Sequence, residues 1–175
     1  MKRFLIVVDM QKDFVDGTLG TKEAVSIVPH VVKKIEEFDG EIIATLDTHD
    51  ADYLRSAEGK KLPVAHCIYH TDGWTLNYEV AKALDKKGNF VLLEKPTFGS
   101  VKLPAMIREM AGEKPFSLEL CGLCTDICVV SNALLLKAHF PEVPIAVDAA
   151  CCAGVTPESH EAALTTMRMC QIDVI

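Results

Sequence analysis

A chain of 175 residues is long enough to bury one substantial core and too short for two ordinary domains, so a single domain spanning residues 1–175 is expected. Apolar residues make up 49% and charged residues 25% of it, which excludes an intrinsically disordered chain. The formal net charge of -7 excludes a nucleic-acid surface built to neutralise phosphates, and no apolar stretch approaches the roughly 20 residues that span a membrane.

In chain order, Met1-Lys2-Arg3 leads into an apolar run at residues 3–8, too short for the core of a signal peptide and without a small-residue cleavage site. Residues 22–38 carry apolar side chains at three- and four-residue spacing and predict a helix, followed by a second strand-like run at 41–46. From 48 to 74 the chain has no sustained periodicity and is polar, with Gly and His; a loop this long in a compact domain is usually functional. Helical spacing returns at 77–87, 103–110, 125–139 and 157–169, interleaved with strand-like runs at 90–93, 116–120, 143–147 and 172–175. Gly40, Gly88, Gly112 and the Phe140-Pro141 break stand where helices should stop. The alternation predicts an α/β fold, a three-layer α/β/α arrangement with a mainly parallel six-stranded sheet. Seven cysteines, an odd number spread through core-like segments, predict reduced thiols and a cytoplasmic protein.

Ligands of open parallel sheets bind outside the carboxyl ends of the strands, which makes the first polar residue after each run the one to inspect. The first run ends at Asp9, the second at Asp47 with His49, and the third at Glu94-Lys95. The fourth leads through Gly122 into Cys124-Thr125-Asp126-Ile127-Cys128. One rim therefore receives carboxylates, an imidazole, an ammonium and a thiol. Cys128 is expected in the first turn of a helix capped by Thr125 or Asp126, where the helix dipole and Lys95 would lower its pKa and Asp9 would take its proton.

Asp47 and His49, two apart at a strand end, project to the same side of an extended backbone. With Glu58 and His66 from the irregular loop they make a two-imidazole, two-carboxylate set suited to zinc, manganese or iron. His70 is expected to be an ordinary surface histidine, and Ser131, Asn132 and Lys137 ordinary surface or packing residues of their helix.

Two segments resemble a known family. Asp9-Met10-Gln11-Lys12-Asp13-Phe14 is similar to the D-x-Q-x-D-F opening of nicotinamidases and related isochorismatase-like cysteine hydrolases. Gly122-Leu123-Cys124-Thr125-Asp126-Ile127-Cys128-Val129 resembles the family's G-x-x-T-D-x-C-V segment, whose Cys is the nucleophile. The resemblance implies an isochorismatase-like hydrolase fold and a catalytic triad of Asp9, Lys95 and Cys128, with Gln11 and Asp13 in support. It also implies a cis peptide between Leu123 and Cys124, and an oxyanion hole from the amides of Cys124 and Cys128. Isochorismatases proper lack a cysteine at this position, so Cys128 points to acyl chemistry: cleavage of a small-molecule amide through a thioester, releasing ammonia or an amine. The metal set resembles the nicotinamidase pattern of D-x-H with a later His in a P-x-H segment, here one residue longer at Pro63-Val64-Ala65-His66, and zinc is the expected ion. A homo-oligomer, dimer or tetramer, is also implied.

Nicotinamidases hold the pyridine ring between the Phe of the opening motif and an aromatic residue three positions before the last metal-binding His. Phe14 fits the first role, but the second position is Pro63, leaving Leu62 and Trp74 as alternatives and a metal-independent carbamoyl-amide hydrolase, its loop held by hydrogen bonds alone, as the competing reading. Two other readings remain open. Cys121, Cys124 and Cys128 spell C-x-x-C-x-x-x-C, the spacing of a redox dithiol or a metal or cluster site, and the same scaffold can serve as a catalytically silent binding protein.

Overall fold

Residues 4–8, Phe-Leu-Ile-Val-Val, are completely removed from solvent, as a continuous apolar strand must be when helices cover both faces of its sheet. They belong to β1 (Lys2–Val8) in a computed structural model that describes all residues 1–175. With β2 (Glu41–Asp47), β3 (Phe90–Lys95), β4 (Phe116–Leu123), β5 (Ile145–Ala153) and β6 (Asp173–Val174) it forms one fully parallel sheet in the order β3-β2-β1-β4-β5-β6.

The connecting helices are α1 (Lys12–Val15), α2 (Lys22–Glu37), α3 (Ala57–Lys61), α4 (Tyr78–Lys87), α5 (Leu103–Ala111), α6 (Val130–His139) and α7 (Pro157–Met169). α2 packs with α4 on one side of the sheet, and α5, α6 and α7 pack in sequence on the other. α2 shows why: Thr21 accepts the Ala24 N–H as its cap, and Ala24, Ile27, Val31 and Ile35 form a buried stripe at helical spacing. α4 stops at Gly88, which takes φ +71° where a side chain would be strained. No helix is long and apolar enough to cross a membrane.

Strand order reverses between β1 and β4, the point at which such sheets open a crevice at their carboxyl edge. Close approach there depends on Gly122, paired with Val8: its φ is +115°, and a Cβ would fall 2.1 Å from the Val8 carbonyl oxygen.

The expected elements are present with shifted ends, and three differences have local causes. β5 starts at Ile145 and runs on to Ala153 through a register shift against β4. The 48–74 segment contains a 3-10 turn at Tyr53–Arg55 and α3, which is capped by the Ser56 hydroxyl accepting the Gly59 N–H. The 125–139 helix divides: Thr125–Val129 is a π turn in which the Val129 N–H reaches back to the Cys124 carbonyl, and only then does α6 begin.

Candidate active site

Asp9 follows β1 with φ +47°, a left-handed conformation rarely adopted by a non-glycine residue. Thr45 on β2 holds it there. The Asp9 N–H donates to Thr45 Oγ1 at 3.2 Å, and the Thr45 hydroxyl donates to Asp9 Oδ1 at 2.6 Å. The other carboxylate oxygen lies 2.6 Å from Lys95 Nζ, and both side chains are fully buried. Lys95, at the end of β3, also stands 3.3 Å from Asp47 Oδ1 and 3.4 Å from Cys128 Sγ, and donates to the Thr97 carbonyl at 3.1 Å. Asp9, Lys95 and Cys128, far apart along the chain, thus converge at the carboxyl edge of the sheet.

Cys128 lies in the π turn, not in the first turn of a capped helix. Neither Thr125 nor Asp126 caps it: the Thr125 hydroxyl is hydrogen-bonded to His160, and Asp126 accepts the Val155 N–H. The expected lowering of the thiol pKa is corrected accordingly. Burial, then the neighbouring Asp9 carboxylate, push the Cys128 thiol well above its ordinary value, with Lys95 pulling the other way. Burial likewise raises Asp9 despite Lys95. For Lys95, burial alone would favour loss of the proton, but Asp9, Cys128 and Asp47 outweigh it and hold the ammonium charged. Burial thus favours the neutral thiol at Cys128, beside the close Lys95–Asp9 contact. The peptide between Leu123 and Cys124 is cis, and the Cys124 N–H donates to no backbone carbonyl.

A second cluster adjoins the first. Asp47, His49 and His66 present ligand atoms all within 4.8 Å of one another. His49 Nε2 is 3.0 Å and His66 Nε2 3.7 Å from Asp47 Oδ2, and Glu58 Oε1 stands 3.8 Å from both imidazole nitrogens. Ligands with arms of about 2.0–2.2 Å around one ion lie a little over 3 Å apart, so the close trio fits a divalent metal, with Glu58 at its outer side. Two further observations agree. His49 Nε2 is buried and, although 3.0 Å from Asp47 Oδ2, makes no well-directed hydrogen bond. His66 Nδ1 donates to the Val64 carbonyl at 2.8 Å, which turns the Nε2 lone pair toward the cluster. Burial opposes a positive charge on His66, but Asp47, the Val64 carbonyl and Glu58 outweigh it and raise its pKa. Asp47 is held well below the ordinary carboxylate range: burial opposes this, and the two imidazoles and Lys95 prevail.

A cavity of about 600 Å³ opens onto both clusters. Cys124, Cys128, Asp47, Glu58 and His66 are among its lining residues, and its apolar walls include Phe14, Leu62, Phe98, Leu123, Ile127 and Val155. Two residues expected at the substrate are not on this wall. Gln11 instead clamps the end of β2, accepting the Asp47 N–H at 2.7 Å and donating to the Asp47 and Trp74 carbonyls at 2.8 Å. Trp74 donates its indole N–H to Thr48 Oγ1 and packs against Tyr69 and His70. Asp13 supports the loop, its Oδ2 accepting the Cys67 N–H beside His66 and its Oδ1 accepting the Thr18 hydroxyl. The seven cysteines are all free thiols; Cys121 is buried in the core and does not line the cavity that Cys124 and Cys128 share.

Three contributors escaped the sequence reading. Asn132, expected to be an ordinary helix residue, is fully buried: it accepts the Ser100 N–H and donates to the carbonyls of Phe98 and Cys128. It thereby fastens the loop carrying Phe98 to the turn carrying Cys128. Its only signal in the sequence is a position four residues after Cys128, on the same helix face. Thr45 and Phe98 carry no local signal.

A parallel sheet with order reversal, a thiol, carboxylate and ammonium at its carboxyl edge, and an Asp/His/His cluster beside them define an α/β protein built for polar chemistry on a small ligand. The chain belongs to the isochorismatase family: residues 3–175 match the model of the Isochorismatase domain. An uncharacterized isochorismatase family protein, PncA, of Bacillus subtilis (strain 168) is 30% identical over 178 residues, covering 94% of this chain and 93% of the relative. A crystal structure of nicotinamidase/pyrazinamidase PncA from Bacillus subtilis superposes with a TM-score of 0.84 at 27% identity, covering 99% of each chain. The pyrazinamidase of Pyrococcus horikoshii in complex with zinc superposes with a TM-score of 0.81 at 25% identity, covering 100% of this chain and 99% of that one.

Proposed function

We propose that this protein hydrolyses a small carboxamide of the nicotinamide kind, with Cys128 as nucleophile and release of ammonia. The observation that carries the reading is the meeting of Lys95 and Asp9 with Cys128, which lines a cavity also lined by Asp47 and His66 of the Asp/His/His cluster. Similarity to nicotinamidase and pyrazinamidase structures supports it.

Asp9 accepts the thiol proton as sulfur attacks the amide carbonyl, with Lys95 compensating the negative charge throughout. The oxyanion of the tetrahedral intermediate is received by the backbone N–H groups of Cys124 and Cys128. Asp9 returns the proton to the leaving nitrogen, ammonia departs, and a thioester remains on Cys128. Water, deprotonated by Asp9, then releases the acid and restores the thiol. Asp47, His49, His66 and Glu58 would hold a divalent metal, zinc first among the candidates, which when bound supplies a Lewis acid for a heteroatom of the substrate or for water. Phe14 forms one wall for the substrate ring.

The wall opposite favours a second reading. Position 63 is proline, Trp74 is turned away, and Leu62 and Phe98 supply the apolar surface instead. A carbamoyl compound or nonaromatic amide suits that surface without ring stacking. An ammonia-release screen over nicotinamide, pyrazinamide, carbamoyl compounds and simple amides, with and without chelator, separates the two. Turnover of the aromatic carboxamides, lost in Cys128→Ala, is the expected result; ammonia from none of them, or undiminished release by Cys128→Ala, would overturn the proposal.

A further inference from the structure

The turn that carries Cys128 is fixed from a neighbouring connection of the sheet. Thr125 Oγ1 and His160 Nδ1 are hydrogen-bonded at 2.8 Å, with Thr125 fully buried, and Asp126 Oδ1 accepts the Val155 N–H at 3.1 Å. The turn has no side-chain cap of its own. Thr125 and Asp126, inside the Cys124–Cys128 backbone, are thus held by α7 through His160 and by the connection between β5 and α7 through Val155. That close approach requires Gly154, where a Cβ would fall 2.8 Å from the His160 nitrogen and 2.9 Å from its Cα. The first turn of α7, which leads into His160, is itself locked by a capping box between Thr156 and Ser159. His160 is not part of the cavity lining.

We infer that His160 is a positioning residue: through Thr125 it holds the π turn so that Cys128 stays against Lys95 and the N–H groups of Cys124 and Cys128 keep their orientation toward the cavity. The inference rests on the reading of Cys128 as nucleophile. A residue acting this way alters the barrier after substrate is bound, not the contacts that bind it, so its loss falls on kcat and spares KM.

The variants are His160→Ala, His160→Asn, Thr125→Val and the double variant His160→Ala with Thr125→Val. His160→Ala is expected to lower kcat about tenfold, the weight of one well-placed hydrogen bond, with KM held within about twofold. Asn sets an amide near the position of the imidazole Nδ1 and should restore most of the rate. Thr125→Val should lose as much as His160→Ala, and the double variant no more than either, because both remove the same bond. Alkylation by iodoacetamide, followed cysteine by cysteine by peptide mass spectrometry, adds a readout that needs no substrate. Release of the turn should speed labelling of Cys128, now 4% exposed, by about threefold or more while Cys121, fully buried, stays protected. Unchanged kcat with unchanged Cys128 labelling, effects of the two singles that multiply, or joint labelling of Cys121 and Cys128 would overturn the inference. If the parent protein turns over no amide, the proposed reaction fails and the labelling pattern alone decides whether His160 holds the turn.

Discussion

Lys95 Nζ lies 3.3 Å from Asp47 Oδ1 while it pairs with Asp9 at 2.6 Å, so one buried ammonium joins the thiol site to the Asp/His/His cluster. Asp9 is paired with this cation, whereas Asp47 shares it with the His49 and His66 imidazoles, and a buried carboxylate is costly to leave unpaired. Lys95→Met strands Asp9 and is expected to destabilise the fold by about 3–5 kcal/mol. Asp9→Asn is a different perturbation. It leaves Lys95 beside Asp47 and keeps the hydrogen bond with Thr45, but it removes both the close ion pair with Lys95 and the group that accepts the proton. It should stay folded, with a smaller fall in urea midpoint than Lys95→Met, and lower kcat by about 10²- to 10⁴-fold. Urea unfolding curves and kcat for the two variants check this, and full turnover by Asp9→Asn would remove Asp9 from the mechanism.

The pH–rate profile follows from the two raised groups. The working state needs Asp9 ionised, to accept a proton, and Cys128 protonated, to supply it. As pH falls through the Asp9 pKa the acceptor is lost, and because burial raises that pKa, the acid limb should lie above the ordinary carboxylate value. As pH rises through the Cys128 pKa the proton destined for the leaving nitrogen is lost. Burial and Asp9 raise that pKa too, so the alkaline limb should lie above the ordinary thiol value. A bell-shaped kcat/KM profile with both limbs displaced upward is expected, its limbs belonging to the coupled pair and not to either residue alone. An alkaline limb below the ordinary thiol value would overturn this expectation.

Asn132 tests whether the Phe98 wall and the Cys128 turn work as one unit. Asn132→Ala removes three hydrogen bonds and leaves the Ser100 N–H and the Phe98 and Cys128 carbonyls short of partners. Each buried orphan costs about 1–3 kcal/mol, part of which local relaxation recovers. A loss of stability of about 2–4 kcal/mol is expected, together with lower kcat/KM toward amides that reach Phe98. Asn132→Leu fills a similar volume without the hydrogen bonds and should recover neither. Parental kinetics in Asn132→Ala would mean that the two segments are positioned independently.

The sheet was readable from the sequence because its signal is local: uninterrupted apolar runs such as 4–8 suit strands covered on both faces, and the residue ending each run falls at the ligand edge. Asp9, Asp47 and Lys95 are legible in that way. The environment of Cys128 is not, because a π turn leading into α6 keeps the apolar spacing of an ordinary helix, and because burial, which dominates the thiol's titration, is a property of the assembled layers. Gln11 and Trp74 both sit in segments that approach the ligand, which is why the sequence suggests them as contacts. Their hydrogen bonds to Asp47 and Thr48 join segments far apart in the chain and leave no pattern in either. For the same reason Phe98 carries no signal: its loop is held at the cavity by Asn132, which lies on a different element altogether.

The cluster at Asp47 offers the remaining prediction. A buried imidazole nitrogen without a well-directed hydrogen bond, His49 Nε2, next to two carboxylates and a second imidazole oriented by Val64, is costly in a bare protein and favourable around a cation. One equivalent of zinc per chain is therefore expected, and at a free concentration about a hundred times the dissociation constant it should stabilise the native state by about 2.7 kcal/mol, or roughly 5–10 °C in melting temperature. His49→Ala with His66→Ala should abolish the shift. Glu58→Gln should only reduce it, since Glu58 stands at the outer side, 3.8 Å from both imidazoles. Thermal melts with and without zinc, paired with metal analysis of the dialysed protein, give the answer without reference to any substrate. An equal shift in the parent and the double histidine variant would place the ion elsewhere on the chain.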